Sequence, residues 1–248
     1  MSPDSTNPVA QLPLLASRIA RYAWPEVERS LDERGWAHLP QLLDPEQCRS
    51  LRALYAQSAL FRSRVIMARH GYGQGEYQYF ARPLPAEVGL LREALYPRLA
   101  AIANVWAERL AQDIRYPDSL PALAARCAEL GQTEPTPLIL KYGPNGENRL
   151  HQDLYGELVF PLQVVVLLSE PAREFSGGEL VLTEQRARMQ SRVEVVPLAL
   201  GDAAVFAVND RPITSKRGYA RVKMRHGVSR VVRGDRYTLG IIFHDARP

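Results

Sequence analysis

His151-Gln152-Asp153 and, far along the chain, His226 within Met224-Arg225-His226-Gly227-Val228 are the residues whose types could do chemistry together. In an extended strand alternate side chains share a face, so His151 and Asp153 can reach one common point. A third imidazole from a distant strand would complete a two-histidine, one-carboxylate face. That arrangement leaves positions open on non-haem Fe(II) for a co-substrate and oxygen. A His and an Asp two apart commonly make only a surface pair or a turn, so the residues after His226 decide between the readings. Arg236 lies ten residues on, in the run Arg236-Tyr237-Thr238-Leu239-Gly240-Ile241-Ile242-Phe243. Alternation puts Arg236, Thr238 and Gly240 on one face and Tyr237, Leu239, Ile241 and Phe243 on the other. The first face offers a cation, a hydroxyl and empty space. It suits a carboxylate, because a guanidinium presents a planar fork for bidentate bonding.

With these residues in view, the sequence resembles the Fe(II)- and 2-oxoglutarate-dependent dioxygenases. Their pattern of H-x-D, a distal His and a basic residue about a strand later is matched by His151, Asp153, His226 and Arg236. Tyr142, nine residues before His151, resembles a tyrosine those enzymes use on the co-substrate. The resemblance covers about Pro137 to Asp245 well. Upstream it extends only to Gly35-Trp36-Ala37-His38-Leu39-Pro40 and Leu43-Asp44-Pro45-Glu46. It implies Fe(II) on His151, Asp153 and His226, 2-oxoglutarate on Arg236 with Thr238 and Tyr142 assisting, and release of succinate and CO2.

The elements that must position these residues follow from local patterns. Residues 1 to 13 read as a loose tail. Leu14, Leu15, Ile19, Ala20, Ala23 and Trp24 keep helical spacing until Pro25, then Val27 and Leu31 continue it, which predicts a kinked helix or two short ones. A short strand is expected around Ala37 to Leu39. Asp44 is expected to cap a helix with Pro45 at its first position. Over residues 86 to 130, Val88, Leu91, Leu95, Leu99, Ile102, Trp106 and Leu110, then Leu123, Cys127 and Leu130, predict helices that buttress a sheet.

From Leu138 the signals are β: Leu138 to Tyr142, the turn Gly143-Pro144-Asn145-Gly146, and the His151 strand. Then come Leu158 to Leu168, apolar on both faces, and further short strands to Phe243. The expected fold is α+β, a double-stranded β-helix (jelly roll) with N-terminal buttressing helices. A single catalytic domain over 1-248 is expected, with a helical, lid-bearing part at about 14-134 and the β core at about 137-245.

The stretch from Met67 to Phe80 differs in kind. Three glycines among Arg69, His70, Tyr72, Tyr77 and Tyr79 predict a lid whose rings and charges touch substrate, against the plainer reading of a hairpin with core aromatics.

Composition excludes several classes. With 46% hydrophobic and 23% charged residues, the chain has the balance of an ordinary globular protein. No apolar run approaches the roughly 18 residues of a membrane span, and Met1-Ser2-Pro3-Asp4 lacks a signal-peptide core, so a cytoplasmic protein with no membrane partner is expected. Cys48 and Cys127 are the two cysteines and suggest core fillers.

The net charge is +4, but nine Lys or Arg from Arg211 to Arg236, Lys216 and Arg217 among them, face the single acid Asp235. Such a cluster can attract a polyanion or act as a solvated strand edge. His151-Gln152-Asp153 and the step from Tyr142 resemble the AlkB-type demethylases. The favoured substrate is therefore alkylated or damaged nucleic acid, with Arg69, Tyr72, Tyr77, Tyr79, Lys216 and Arg217 as its contacts. Ile242 stands where those enzymes carry a second arginine, and the spacing from His226 to Arg236 looks more like the prolyl-hydroxylase and small-molecule branches. A hydroxylase of a protein side chain or small metabolite is the alternative. A cupin-like binding protein is the non-enzyme one, disfavoured because a buried guanidinium without an anion is costly.

Overall fold

The computed structural model describes residues 15–248. Residues 15–20 are helical, and Trp24–Arg34 forms a second helix with Pro25 in its first turn and Gly35 in the left-handed region at its end. Proline thus separates two short helices, as its missing N–H permits only at a helix start. Asp44 accepts from the backbone N–H of Glu46 and Gln47, and the Gln47 side chain accepts from Asp44 N, so Pro45–Ala53 begins with a full capping box. Helices Ala86–Arg109 and Leu120–Glu129 complete the α layer. The expected tail at 1 to 13 lies outside the described residues.

The strands are β1 Trp36–Leu39, β2 Phe61–Ile66, β3 Gly73–Gln74, β4 Glu76–Phe80, β5 Leu138–Tyr142, β6 Glu147–His151, β7 Leu162–Leu167, β8 Phe175–Gly177, β9 Leu180–Gln185, β10 Arg192–Val196, β11 Ala203–Ala207, β12 Asp210–Ser215, β13 Gly218–Val228, β14 Val231–Gly234 and β15 Arg236–Ile241. One sheet runs β1-β11-β7-β15-β5-β4-β2. The second runs β10-β9-β13-β6-β3 with β12 on β13, and β14 pairs β8 separately. All these pairings are antiparallel. The two sheets form the jelly-roll core, and one hydrophobic cluster joins both to the helices.

Helix Ala86–Arg109 is tied to the end of the last strand. Arg92, buried, donates to the carbonyls of Ile242 and Phe243 and to Asp245 Oδ1 at 3.0 Å. Tyr96 of the same helix packs on Phe160 and Phe243, with ring centroids 5.3 and 5.9 Å away. This anchoring holds the main sheet against the helix layer and leaves its other face free to line a cavity.

Two expectations need correction. The stretch 67–80 is not a lid throughout: β4 is a full member of the main sheet between β2 and β5. Tyr79 is buried and Tyr77 half-buried because the strand has neighbours on both sides. Only Ala68 to Tyr72 project, exposed, beyond the sheet, while Met67 is buried in a cluster with Tyr142 and Val231. The partner strand β2 alternates exposed Arg62 and Arg64 with half-buried Phe61, Ser63 and Val65, a strand pattern weakened by the polar Ser63 on its inner face. His226 also does not begin a strand running to Val232. It lies near the end of the long β13, and the chain breaks at Ser229 and Arg230 before β14.

Phe160 is fully buried between Tyr96, Tyr116 and Phe243, with centroids 5.0 to 5.3 Å away. Phe160→Ala is expected to destabilise the protein by about 3–5 kcal/mol through lost transfer energy and the residual cavity. The check is the urea midpoint at unchanged slope.

Candidate active site

Antiparallel pairing of β13 with β6 sets His226 directly opposite His151. Residues paired across strands project to the same face, so the two rings meet at 4.2 Å between centroids. Asp153 arrives differently from the sequence expectation, because β6 ends at His151 and Asp153 lies in the coil beyond it. Gln152 fixes that coil, donating through Nε2 to Asn209 Oδ1 at 2.7 Å and to the Met224 carbonyl at 2.8 Å. Asp153 is thereby turned inward, with Oδ2 3.2 Å from His226 Nε2 and Oδ1 3.5 Å from His151 Nε2. The three ligand atoms lie within 4.8 Å of one another, the one such cluster among the described residues.

The chemistry of this donor set fits a divalent ion. His151 Nδ1 lies 2.7 Å from the Arg149 carbonyl, which can only accept, so Nδ1 carries the proton and Nε2 keeps its lone pair. Burial, with His226 adding to it, holds the His151 pKa below its ordinary value and favours this neutral form. For Asp153 burial pushes the pKa up, but the hydrogen bond to His226, the charge on His226 and the Tyr155 hydroxyl outweigh it. The carboxyl stays well below the usual range. An ionised carboxylate and a free imidazole nitrogen are what metal ligation requires.

The site opens into a cavity of about 460 Å³. Along its wall β15 pairs with β5 so that Arg236 faces Tyr142 and Thr238 faces Leu140. Arg236 is buried, with its guanidinium carbon 5.7 Å from the Tyr142 ring centroid. Arg236 Nε and Nη1 and the Tyr142 hydroxyl have no hydrogen-bond partner among the described residues. Burial lowers the Arg236 pKa to about 10, so it remains a cation at neutral pH. A Cβ at Gly178, whose φ is +69°, would stand 2.9 Å from Arg236 Cδ, so glycine keeps this cradle open. A buried cation beside an unpaired phenol calls for an anion. The carboxylate of 2-oxoglutarate fits that demand.

Of the residues proposed for substrate, Tyr72, Tyr77 and Tyr79 line the same cavity. Arg69, Lys216 and Arg217 do not. Arg69 is exposed on the turn before the rim, with His70 stacked on Tyr72 at 5.3 Å. Lys216 and Arg217 sit at the tip of the β12–β13 hairpin. At a rise of about 3.3 Å per residue, that tip is roughly 25 Å along β13 from His226. Sequence proximity to a metal ligand therefore did not bring them to the mouth.

The basic run is also partly neutralised. Arg211 is buried in an ion pair with Glu184, and Arg221 and Lys223 both pair with Asp210. Asp210 and Glu184 lie outside the window that made the run look unopposed.

The structure adds residues that pattern reading missed. Gln163 of β7 reaches His226 Nε2 at 3.2 Å, and Phe206 of β11 packs on the His226 ring at 4.8 Å. A lone glutamine within the apolar run Leu158 to Leu168 was the available signal for the first. Nothing local marked Phe206. Tyr155, Arg149 and Leu150 also line the cavity, and Leu150, Leu154 and Tyr72 are each about half exposed at or beside its mouth.

Fold and site together define a 2-oxoglutarate/Fe(II) oxygenase. Three solved structures share the fold. An oxidoreductase of the 2OG-Fe(II) oxygenase family from Burkholderia pseudomallei is 17% identical with a TM-score of 0.54, covering 92% of this chain and 95% of its own. A non-heme alpha ketoglutarate dependent epimerase of nogalamycin biosynthesis is 16% identical at 0.53, covering 91% and 86%. A Trichoplax adhaerens prolyl hydroxylase, in complex with a hypoxia inducible factor peptide fragment, is 14% identical at 0.51, covering 97% and 94%. Residues 75–246 match the Oxygenase-NA family, described as an oxygenase catalysing oxidative methylation of damaged DNA, and the chain belongs to that family. An uncharacterized Mycobacterium tuberculosis protein, Rv2227, is 49% identical over 196 residues, covering 77% of this chain and 84% of its own.

Asp153→Ala removes the anionic ligand while leaving both imidazoles. Anaerobic titration of the wild type is expected to give one Fe(II) per chain, and the variant is expected to lose that stoichiometric binding. An unchanged stoichiometry would contradict the ligand set.

Proposed function

We propose that this chain oxidises alkylated or otherwise damaged nucleic acid, with release of succinate and CO2. Fe(II) is held by His151, Asp153 and His226, and 2-oxoglutarate by Arg236 with Tyr142 and Thr238. The observation that carries the substrate assignment is membership of a family described as acting on damaged DNA. When bound, iron and 2-oxoglutarate supply oxidative decarboxylation of the co-substrate coupled to oxidation of the substrate. The chain supplies positioning and dryness. Arg236 neutralises the carboxylate inside the cavity, and the Tyr142 hydroxyl offers it a hydrogen bond. Leu140, Val165 and Val228 close the surrounding wall against water.

The substrate side of the cavity supports a base taken out of its stack. Tyr77 and Tyr79 present ring faces and edges inside, while Tyr72, Leu150 and Leu154 offer apolar surface at the rim. Aromatic and apolar faces receive an extruded base without reading its neighbours. Arg149, 67% exposed and lining the cavity, is the cation best placed for an adjacent phosphate. Arg69 is exposed two residues before Gly71, whose carbonyl accepts from Arg149 Nη1. Lys216 and Arg217 serve only nucleotides farther along the strand. The second reading is a hydroxylase of a protein side chain or small metabolite. It is favoured by the short step from His226 to Arg236 and by a mouth lined with a single arginine.

Arg236→Ala is expected to weaken 2-oxoglutarate binding by roughly 2–5 kcal/mol, since it truncates one partner of a buried charge pair. Calorimetry on the metal-loaded protein reads this directly, and wild-type affinity in the variant would place the anchor elsewhere. For the substrate, succinate release is measured with methylated oligonucleotides beside a panel of peptides and metabolites. Stimulation by an oligonucleotide is expected; stimulation by a small molecule or peptide alone rejects the nucleic-acid reading. Binding to the oligonucleotide is expected to weaken with salt, and reversal of charge at Arg149 is expected to flatten that dependence more than reversal at Lys216 or Arg217.

A further inference from the structure

Tyr155 follows Asp153 by two residues, and its hydroxyl donates to Asp153 Oδ1 at 2.6 Å. Tyr79 in turn donates to the Tyr155 hydroxyl oxygen at 3.0 Å. The Tyr79 and Tyr155 rings meet edge to face, with centroids 6.2 Å apart at 88°, and Tyr77 stands edge-on to Tyr79 at 5.3 Å. Arg62 lies over Tyr79, 4.8 Å from its centroid, and His244 lies beside Tyr155, at 6.0 Å. His244 is itself fixed, because its Nδ1 accepts from the Phe160 N–H at 3.2 Å. Two hydrogen bonds therefore run from the aromatic wall of the cavity to the carboxylate of the iron site.

The direction of the chain follows from proton counting. A phenol has one proton to give and lone pairs to receive with. Because Tyr155 accepts from Tyr79, its own proton is left for Asp153. A separation of 2.6 Å is that of a charge-assisted bond from a hydroxyl to an ionised oxygen. One lone pair of Oδ1, which also stands 3.5 Å from His151 Nε2, is thereby taken, while Oδ2 stands 3.2 Å from His226 Nε2 with no hydroxyl on it. A carboxylate can take an ion through one oxygen or both, and the choice decides how many positions remain for other ligands.

We propose that Tyr155 is a positioning residue for the metal. It holds Asp153 to coordination through Oδ2 alone, and Tyr79 aligns the Tyr155 hydroxyl for that task. The substrate wall and the iron ligand are thereby one hydrogen-bonded unit. The inference rests on the iron reading of His151, Asp153 and His226 and is independent of which substrate is used.

The test is Tyr155→Phe and Tyr79→Phe in the full chain, titrated with Co(II) and followed by its visible absorption. Absorption depends on the number and geometry of the donors, so entry of Oδ1 in place of a solvent ligand is read separately from affinity. Tyr155→Phe is expected to bind Co(II) about tenfold to a hundredfold more weakly, the usual effect of losing an outer-shell partner. It is also expected to give an altered absorption per bound ion. Tyr79→Phe is expected to shift both quantities the same way by less, and it carries the test if Tyr155→Phe does not fold. Unchanged affinity in Tyr155→Phe overturns the proposal, as does weaker binding with an unchanged spectrum, which marks a merely structural contact. Failure of the wild type to bind Co(II) overturns it together with the iron site. Failure of oligonucleotides to stimulate succinate release overturns only the nucleic-acid reading.

Discussion

The pairing of β13 with β6 is the constraint on which the site depends. Only in the observed register does His226 stand across from His151. A slip of one residue would send the His226 ring to the outer face, where Arg221, Lys223 and Arg225 now point. The register is protected from both sides. β9 pairs with the same stretch of β13, and Phe206 and Met224 fill the interior next to the ring. A β-bulge between His226 and Val228 lets Asn148 pair beyond the histidines. Gln152 then ties the exit of β6 back to Met224, so one strand holds both the distal histidine and the coil that carries Asp153.

Three arginines are buried, and what each one meets separates scaffold from function. Arg92 is met by two carbonyls and Asp245, and Arg211 by Glu184 and the Asp32 carbonyl through its two Nη atoms, with only its Nε unpaired. Both therefore act as internal fasteners, joining a helix to the last strand and a hairpin to the helix Trp24–Arg34. Arg236 has the same burial without a counter-ion among the described residues. Leaving a buried cation unpaired costs several kcal/mol. Such a group persists in a fold when a ligand completes it, so an unsatisfied charge is more informative here than a satisfied one.

The cavity has two sides with different chemistry. Toward Arg236 it ends in a buried cation, two hydroxyls and small or branched apolar side chains. Toward the mouth it is walled by phenol rings and bordered by exposed leucines and Tyr72. The phenols of Tyr79 and Tyr155 belong to both the wall and the metal site, because their hydroxyls lead to Asp153.

Much of this was legible in the linear chain. Alternation and length marked most of the β strands, Asp44 and Pro45 marked a helix start, and the spacing of His151, Asp153, His226 and Arg236 marked a candidate ligand set. These are short-range signals or residues whose chemistry is rarely placed without use. Tertiary structure decided the rest, for reasons that act across the fold. β4 became sheet wall instead of lid because β2 and β5 hydrogen-bond to it on both sides, which glycine and tyrosine content could not reveal. The basic run lost much of its reach because Glu184 and Asp210 pair with it from outside the window and because β13 carries its tip away from the cavity. Phe206, Gln163 and Tyr155 reached the candidate iron site through strand order and hydrogen-bond direction. The sequence by itself determined which groups could bind a metal and an anion. Only the packing of two sheets determined which neighbours those groups would have, since a side chain's surroundings depend on residues far away along the chain.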